Sequence, residues 1–336
     1  MALPLPTLLA VLRALDEETR LRIVALLRHG ELTVTDITDI LGSSQPGISR
    51  HLRLLSDAGV VEKHREGTWM FFDLVSSGPI GQLLDEVLGA IDPHDSVMAA
   101  DLDRLAIVRG RRGAAAQEYF ARIASRWDEE RSLHAPDETV EEAILDVIGN
   151  GPLGAVLDVG TGTGRILQVV GPRASRAVGL DNSHSMLAVA RANLERAEIR
   201  GIELRQGDVY SPPFAAASFD LVVIHQVLHF LDDPARATRE AARLLKPGGK
   251  LVIVDFAPHS LEFLRTDHAH LRLGFRADTV AGWLEHASLE VATIRTIDPP
   301  TAGAGERLTV TLWVAHDRRP SLTHPLPSSP ADEVLS

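Results

Sequence analysis

Four apolar runs in the second half of the chain alternate with segments long enough to form helices. The runs are AVLDV, RAVGLD, FDLVVIH and KLVIVDF, all within residues 155–256. Strands separated in this way by helices fold into a parallel sheet flanked by those helices. The alternation therefore predicts an α/β domain for this half of the chain.

The beginning of the chain follows a different pattern. Apolar residues recur at helical spacing from residue 8 to residue 57, and two β-rich runs, 60–65 and 68–74, are joined by a Glu-Gly dipeptide suited to a tight hairpin. We expect an α+β domain at 1–76 and a connecting segment with a helix at 77–113. The α/β domain would then occupy 114–316, and a proline- and serine-rich disordered tail would occupy 317–336.

The composition narrows the class of protein. The 336 residues include 34 Lys and Arg against 46 Asp and Glu, a formal net charge of −12, and no cysteine. So acidic a chain is not a diffuse, charge-driven binder of nucleic acid, and any DNA binding must come from a local patch. The lack of cysteine excludes thiolate metal sites and cysteine nucleophiles. No stretch reaches the roughly 18 apolar residues of a spanning helix and no leader is evident, so we expect a cytoplasmic protein without membrane contact.

The segment SSQPGISRHLRLL, residues 43–55, predicts a helix that begins after an N-cap serine, Ser44. Ile48, Leu52 and Leu55 would share its buried face. The opposite face would present side chains able to bond base edges or phosphates, as would cations near the hairpin turn. These candidates are Gln45, Ser49, Arg50, Arg53, Lys63 and Arg65. Taken alone, the pattern is also that of any amphipathic helix with a solvated polar face.

The order of these elements, and the run SQPGISRHLRLLSDAGVVEKHREGTWMFFDL in particular, resembles the winged helix-turn-helix of the ArsR/SmtB regulators. The resemblance implies double-stranded operator DNA as a partner and a homodimer built from the first helix and the helix after the wing. Arsenic sensors of the family carry Cys-x-Cys where this chain has Thr33 and Thr35, whose hydroxyls are not soft-metal ligands. A second family site uses Asp and His, but Asp92 and His94 here have no second histidine. We therefore expect no metal.

The first strand of the α/β half runs into a glycine turn, VLDVGTGTG, which leads into a helix. Glycines let a ligand approach the backbone closely, and a helix N-terminus offers free N–H groups. Asp181 ends the next strand, where a carboxylate would accept hydrogen bonds from ribose hydroxyls. Asp208 and Val209 end the third strand, near the place of an adenine ring. A glycine turn alone is also compatible with dinucleotide binding.

Together with LKPGGKL at 245–251, this set resembles the class I, UbiE-like S-adenosylmethionine-dependent methyltransferases, which have a Rossmann-like sheet. The resemblance implies S-adenosylmethionine or S-adenosylhomocysteine as ligand. Gly160, Gly162 and Gly164 would flank its methionine portion, with Asp158 near the amino group. Asp181 would hold the ribose, and Asp208 with Val209 the adenine.

A catalytic base is harder to assign. Histidines and aspartates follow the fourth and fifth strands, at the sheet edge where a substrate would bind, and histidine suits proton removal at neutral pH. The set comprises His225, His229, Asp255, His259, Asp267, His268 and His270, of which His225 and His268 are the weak catalytic candidates. His229 could instead pack structurally, and the pair at 268 and 270 could cap a helix.

Two functions follow from a winged helix joined to such a pocket. The chain could be a transcription regulator whose pocket senses S-adenosylhomocysteine or S-adenosylmethionine, an arrangement that resembles the S-adenosylhomocysteine-responsive ArsR-type regulators. It could alternatively be an active methyltransferase with an autoregulatory DNA-binding domain. We favour the regulator, because a sensor needs only the ligand-binding residues, whereas an enzyme also needs an acceptor site that the sequence leaves ambiguous.

Overall fold

A computed structural model describes residues 2–66, 69–75, 78–124, 137–298 and 308–319. Within these ranges no helix is long and apolar enough to cross a membrane. Of the tail predicted at 317–336, residues 320–336 lie outside the described residues. Asp317 ends a strand and Arg319 donates to the carbonyl of Leu245 at 2.7 Å, so the first three residues of the predicted tail are part of the folded domain.

The N-terminal domain packs four helices on a small antiparallel sheet. Its described strands have the order β1-β3-β2. In chain order the elements are α1 (Leu5–Leu15), α2 (Glu18–Leu27), β1 (Leu32–Thr33), α3 (Val34–Leu41), α4 (Gln45–Asp57), β2 (Val61–Glu66) and β3 (Trp69–Leu74). Strands β2 and β3 form the predicted hairpin, and residues 67 and 68 of its turn lie outside the described residues.

The helix pair α3–α4 follows its sequence signals. Thr33 begins α3 with a capping box, in which its hydroxyl accepts from the Asp36 N–H at 3.2 Å and the Asp36 carboxylate accepts from the Thr33 N–H at 2.8 Å. Gly42 ends α3 in the left-handed conformation, with φ of 62°. Ser44 stands at the N-cap of α4 as predicted, although its side chain makes no capping hydrogen bond. The three apolar residues predicted to face the core, Ile48, Leu52 and Leu55, are buried.

In the described part of the connection between the domains lie two helices, α5 (Gly78–Gly89) and α6 (Ser96–Ile123). Asp101 of α6 is buried, and its carboxylate accepts hydrogen bonds from Nε and Nη2 of Arg22 on α2, at 2.7 and 2.8 Å. This bidentate ion pair fixes α6 to the N-terminal domain. The helix then continues past residue 113 to Ile123 without a break. The boundary predicted at 113/114 therefore falls inside one helix.

The C-terminal domain has the predicted α/β architecture. Its described elements are α7 (Asp137–Ile148), β4 (Ala155–Val159), α8 (Arg165–Val170), β5 (Arg176–Asp181), α9 (His184–Arg196), β6 (Ile202–Gln206), β7 (Phe219–His225), α10 (Pro234–Leu244), β8 (Leu245–Phe256), α11 (Phe263–Asp267), α12 (Ala277–His286), β9 (Leu289–Ile297) and β10 (Val310–Asp317). In the described part of the chain the strands have the order β6-β5-β4-β7-β8-β10-β9. The first five in this order are parallel, and β10 inserts antiparallel between β8 and β9.

Alternating side chains of this sheet enter two separate cores. On β4, Leu157 packs on one face and Val156 on the other. Every residue of β4 is buried, so this strand lies at the centre of the domain. After β6 the chain returns to the opposite side of β4 to form β7, which makes the carboxyl ends of β4 and β7 the switch point where open α/β sheets bind ligands.

Candidate functional site

A cavity opens at this switch point. It is bounded by the loops after four neighbouring strands and by one residue of α6. The lining residues are Phe120, Asp158, Gly160, Thr161, Gly162, Thr163, Arg165, Ile166, Asp181, Asn182, Ser183, Met186, Asp208, Val209, Tyr210, His225, Gln226, Val227, Phe230, Leu231 and Asp232.

The glycine loop forms the floor of the cavity. Gly160 has a φ of 70°, and a Cβ placed on it would lie 2.4 Å from a methyl group of Val227, so the loop has room only for glycine. The N–H groups of Gly160 and Thr161 donate to the carbonyl of Leu180, at 2.7 and 2.9 Å. These two bonds hold the loop against the neighbouring strand and leave its outer surface to a ligand.

Asp181 lies at the end of β5 and organises the loop from the side. One carboxylate oxygen accepts from the Gly162 N–H and the other from the Ser183 N–H, both at 2.8 Å. Burial raises the pKa of Asp181 above its usual range, although the two N–H donors oppose that shift. Each carboxylate oxygen has a second lone-pair direction, so the group can still accept from hydroxyls of a bound ligand.

Asp158 and Asp208 also line the cavity. Asp158 is buried at the end of β4 and accepts the hydroxyl of Thr161 at 2.6 Å. Asp208 accepts the N–H of Tyr210 at 2.9 Å. With Asp181 and with Asp232 at the rim, four carboxylates line the cavity, a set of acceptors suited to a ligand that offers amino and hydroxyl groups.

Aromatic and polar side chains form the remaining wall. The rings of Phe120 on α6 and Phe230 meet edge to face, with centroids 4.8 Å apart. Gln226 follows β7 with a φ of 55°, a conformation that non-glycine residues seldom adopt and that often marks a functional position. Burial, as the largest cause, raises the pKa of Tyr210, whose hydroxyl oxygen accepts the N–H of Asp233 at 2.9 Å. These residues complete the lining of the cavity.

The structure brings most of the predicted ligand residues together. Asp158, Gly160, Gly162, Asp181, Asp208 and Val209 all line the cavity. Gly164 does not: with a φ of 82° it is the N-cap of α8, and a Cβ there would lie 3.2 Å from that of Ala190 on α9. Its glycine is explained by local backbone conformation and close helix packing.

The two weak catalytic candidates have different surroundings. His225 lines the cavity at the end of β7. His268 does not line it, because the segment after β8 folds back on α6 and its Nδ1 lies 3.0 Å from the hydroxyl of Tyr119. His229 is buried with its Nδ1 2.8 Å from an oxygen of Asp255, and its ring packs on Phe256, in keeping with its structural interpretation.

The predicted DNA-binding residues form an exposed set. All six side chains are exposed on α4 and on the hairpin: Gln45, Ser49, Arg50, Arg53, Lys63 and Arg65. The register of β2 and β3 pairs Lys63 with Phe72 and Arg65 with Met70. Because side chains alternate along a strand, these two cations stand on the opposite face of the hairpin from His64 and Phe71.

Sequence reasoning missed the wall of the cavity. It assigned no role in the site to Phe120, Tyr210, Gln226 or Phe230, although all four line it. Tyr210 directly follows the Gly-Asp-Val run, and that position was the one available signal. Phe120 comes from a helix that begins 24 residues earlier in the N-terminal half, at Ser96, and its place in the site depends on how that helix packs.

Comparison with known proteins supports both halves of this description. The family of bacterial regulatory proteins named for arsR matches residues 17–63, and a methyltransferase-domain family matches residues 157–253. The arsenic resistance transcriptional regulator ArsR1 of Pseudomonas putida is 39% identical over 98 residues, 29% of this chain and 75% of that protein. The chain belongs to the ArsR family. This ArsR-family protein differs from a lone DNA-binding domain in carrying a methyltransferase domain as well.

The methyltransferase half of the ArsR-family protein has relatives of its own. A demethylmenaquinone methyltransferase of Tropheryma whipplei is 30% identical over 153 residues, 45% of this chain and 63% of that enzyme. The uncharacterized methyltransferase YcgJ of Bacillus subtilis is 33% identical over 104 residues, 31% of this chain and 41% of that protein. The chain thus spans less than two thirds of the length of these methyltransferase relatives. The N-methyltransferase NodS of Bradyrhizobium japonicum, solved in complex with S-adenosyl-L-homocysteine, has the same fold, with a TM-score of 0.50, 20% identity and coverage of 61% of this chain and 99% of NodS.

Proposed function

We propose that this ArsR-family protein is a transcription regulator that binds operator DNA and senses S-adenosylhomocysteine or S-adenosylmethionine in the cavity of its methyltransferase domain. The observation that carries the proposal is the pairing, in one chain, of an exposed set of six DNA-directed side chains with a preformed cavity lined by four carboxylates. Such a regulator works where the chromosome lies, which in a bacterium is the cytoplasm.

The residues of the cavity fit this ligand class. Gly160, where any Cβ would meet Val227, leaves room for the methionine portion against the loop. Asp158 can accept from its amino group, and Asp181 from the ribose hydroxyls, by charge-assisted hydrogen bonds. Asp208 and Val209, which also line the cavity, would contact the adenine in this proposal.

An active methyltransferase is the second candidate, and one observation favours it. His225 lines the cavity at the end of β7, next to Gln226, so a histidine is available within the cavity. Methyl transfer also proceeds by positioning alone in a well-oriented complex, so it does not depend on a general base. When bound, S-adenosylmethionine supplies an electrophilic methyl group, and this chain would contribute binding, orientation and exclusion of water.

A homodimer is also part of the proposal. Three leucines of α1, Leu5, Leu9 and Leu12, are 67%, 41% and 43% exposed. Their spacing of four and three residues places them along one side of the helix, and such an exposed apolar stripe is typical of an interaction face. The first helix is also where the resemblance to ArsR/SmtB regulators implies the dimer contact. In sedimentation, we expect Leu9→Glu to lower the assembly state and Ile294→Glu, at a residue 43% exposed on β9, to leave it unchanged.

The function is tested with the full chain and its own operator, selected from a random-sequence duplex library. Fluorescence anisotropy would give the operator Kd alone and with saturating S-adenosylhomocysteine or S-adenosylmethionine, and a radiolabel assay on cell extract would measure methyl transfer. The regulator proposal expects a change in Kd on the order of 100-fold with at least one ligand. An operator affinity unaffected by both ligands, together with methyl transfer to an extract component, would reject the regulator and support the enzyme.

A further inference from the structure

A single buried arginine, Arg272, joins the DNA-binding domain to the rim of the cavity. Arg272 is only 4% exposed. One guanidinium nitrogen forms an ion pair with Glu31, which lies just before β1 of the N-terminal domain. The guanidinium also lies over the ring of Phe71 on β3, with its central carbon 4.1 Å from the ring centroid. A planar cation suits this double role, because it can bond a carboxylate and stack on a ring at once.

The wing of the winged helix is covered by this contact. Phe71 is 2% exposed, and its hairpin face also carries Trp69, which lies under the guanidinium of Arg265 at 4.5 Å. His64 stacks on Phe71 from the neighbouring strand, with ring centroids 5.6 Å apart. The face that meets the methyltransferase domain is thus the reverse of the face that carries the DNA-directed cations of β2.

The same guanidinium reaches the cavity from the other side. Nη2 of Arg272 donates to the carbonyl of Asp232 at 3.1 Å. Asp232 lines the cavity, as do Phe230 and Leu231 before it. In addition, the backbone N–H groups of Leu271 and Arg272 donate to the carbonyl of His229, at 2.9 and 3.0 Å. Three hydrogen bonds therefore fix Arg272 and its neighbour to the rim segment 229–232.

We propose that Arg272 is the positioning residue that couples ligand binding in the cavity to operator binding by the wing. The inference rests on the regulator function proposed above and deepens it by naming the route of regulation. A ligand that packs against Phe230 and Leu231 shifts the rim, and the rim carries the guanidinium with it. Because Glu31 and Phe71 are packed closely on that guanidinium, the shift changes the orientation of the hairpin on DNA. By linkage, operator binding changes ligand affinity by the same factor.

The test uses Arg272→Gln in the full chain, with Arg276→Gln as the matched control. Arg276 belongs to the same segment, but it is 73% exposed and pairs with Asp278 at 2.8 Å. For each protein, anisotropy gives the operator Kd with and without S-adenosylhomocysteine and S-adenosylmethionine, and calorimetry gives the affinity of each compound with and without operator. We expect the ligand-induced change in operator Kd to fall from about 100-fold in the wild type to less than threefold in Arg272→Gln, and to persist in Arg276→Gln.

The ratio of the operator Kd with ligand to that without ligand distinguishes a coupling role of Arg272 from a purely structural one. A residue that only supports the fold would weaken both binding events in Arg272→Gln and leave the ratio intact, and that result overturns the proposal. If Arg272→Gln does not fold, Glu31→Gln, which removes the charge from the partner at unchanged size, decides by the same criterion. A wild type whose operator affinity ignores both compounds rejects the sensor function itself, whereas a responsive wild type with an equally responsive variant rejects only the coupling.

Discussion

Replacement of Asp181 by asparagine tests the ligand site with almost no change in shape. In the wild type, the two carboxylate oxygens accept from the N–H groups of Gly162 and Ser183 at 2.8 Å. Asparagine keeps one acceptor oxygen, but its NH2 group, a donor, would face one of these two N–H donors. It also removes the charge that would strengthen hydrogen bonds from ribose hydroxyls. Charge-assisted hydrogen bonds contribute about 1.5–3 kcal/mol and neutral ones about 0.5–1.5 kcal/mol, a difference of about 1–1.5 kcal/mol per bond. For one or two bonds from ribose hydroxyls we therefore expect a loss of about 1–3 kcal/mol, or about 5- to 150-fold in Kd.

The pH dependence gives a second, independent signature of the same carboxylate. Burial raises the pKa of Asp181, so this group takes up a proton at a higher pH than an ordinary aspartate. The charged form accepts best from the ribose, and wild-type affinity should therefore fall as the pH drops through that raised pKa. Asp181→Asn cannot titrate, and its weaker affinity should stay flat across the same range.

Calorimetric titration of S-adenosylhomocysteine from pH 8 to pH 5 measures both effects. Glu203→Gln is the control, since it removes a surface carboxylate on β6 that pairs with Arg176 at 3.1 Å away from the cavity. Wild-type affinity in a folded Asp181→Asn variant would show that the ligand does not contact this residue. A wild-type profile as flat as that of the variant would refute the assignment of the titrating group.

Three further predictions concern other parts of the chain. Arg50→Ala should weaken specific operator binding by about 1–3 kcal/mol in anisotropy titrations and leave calorimetric ligand affinity unchanged, because the side chain is exposed on α4. Gly160→Ala should abolish ligand binding, since its Cβ would lie 2.4 Å from a Val227 methyl group at a φ of 70°, and Val227→Ala in the same chain should restore part of it. Asp73→Asn should stabilise the protein at pH 8 but not at pH 4. Burial first, and then the charge of Glu31, raises the pKa of Asp73 to about 7. The stability that the protonated Asp73 side chain contributes is therefore fully present below pH 4 and is lost as the pH rises to 7. Urea unfolding at both values measures the difference, at most about 4 kcal/mol, and equal effects at the two values would contradict the shift.

The sequence predicted those parts of the site that depend on local signals. The glycine turn, the strand-end position of Asp181 and the exposed face of α4 each follow from residues within one or two elements, and all appear in the structure. The position of His268 could not be predicted from such local signals. Its place after a strand suggested the ligand crevice, but the chain folds back there and Tyr119, 149 positions away, becomes its hydrogen-bond partner.

The role of Arg272 between the two domains could likewise not be predicted from local sequence signals. The residues next to it in the sequence do not distinguish it from the other arginines of that region, which would ordinarily be expected at the surface. Its burial depends on Glu31 and Phe71, which belong to a different domain and lie 241 and 201 positions earlier. These contacts form when two independently patterned domains dock, so periodicity and motif spacing do not predict them.

Helix α6 has a consequence for how such a fusion can vary in length. It runs unbroken from Ser96 to Ile123, with Asp101 anchored to α2 near one end and Phe120 in the cavity wall near the other. An added residue between those two points would turn one end against the other by about 100° and lengthen the helix by about 1.5 Å. Phe120 would then leave Phe230, and Arg272 would no longer meet the wing. A whole helical turn would restore the orientation but move the two ends about 5.4 Å further apart, so it too would separate Arg272 from the wing. The docked fusion therefore fixes the length of this helix, a restriction that a flexible linker would not impose.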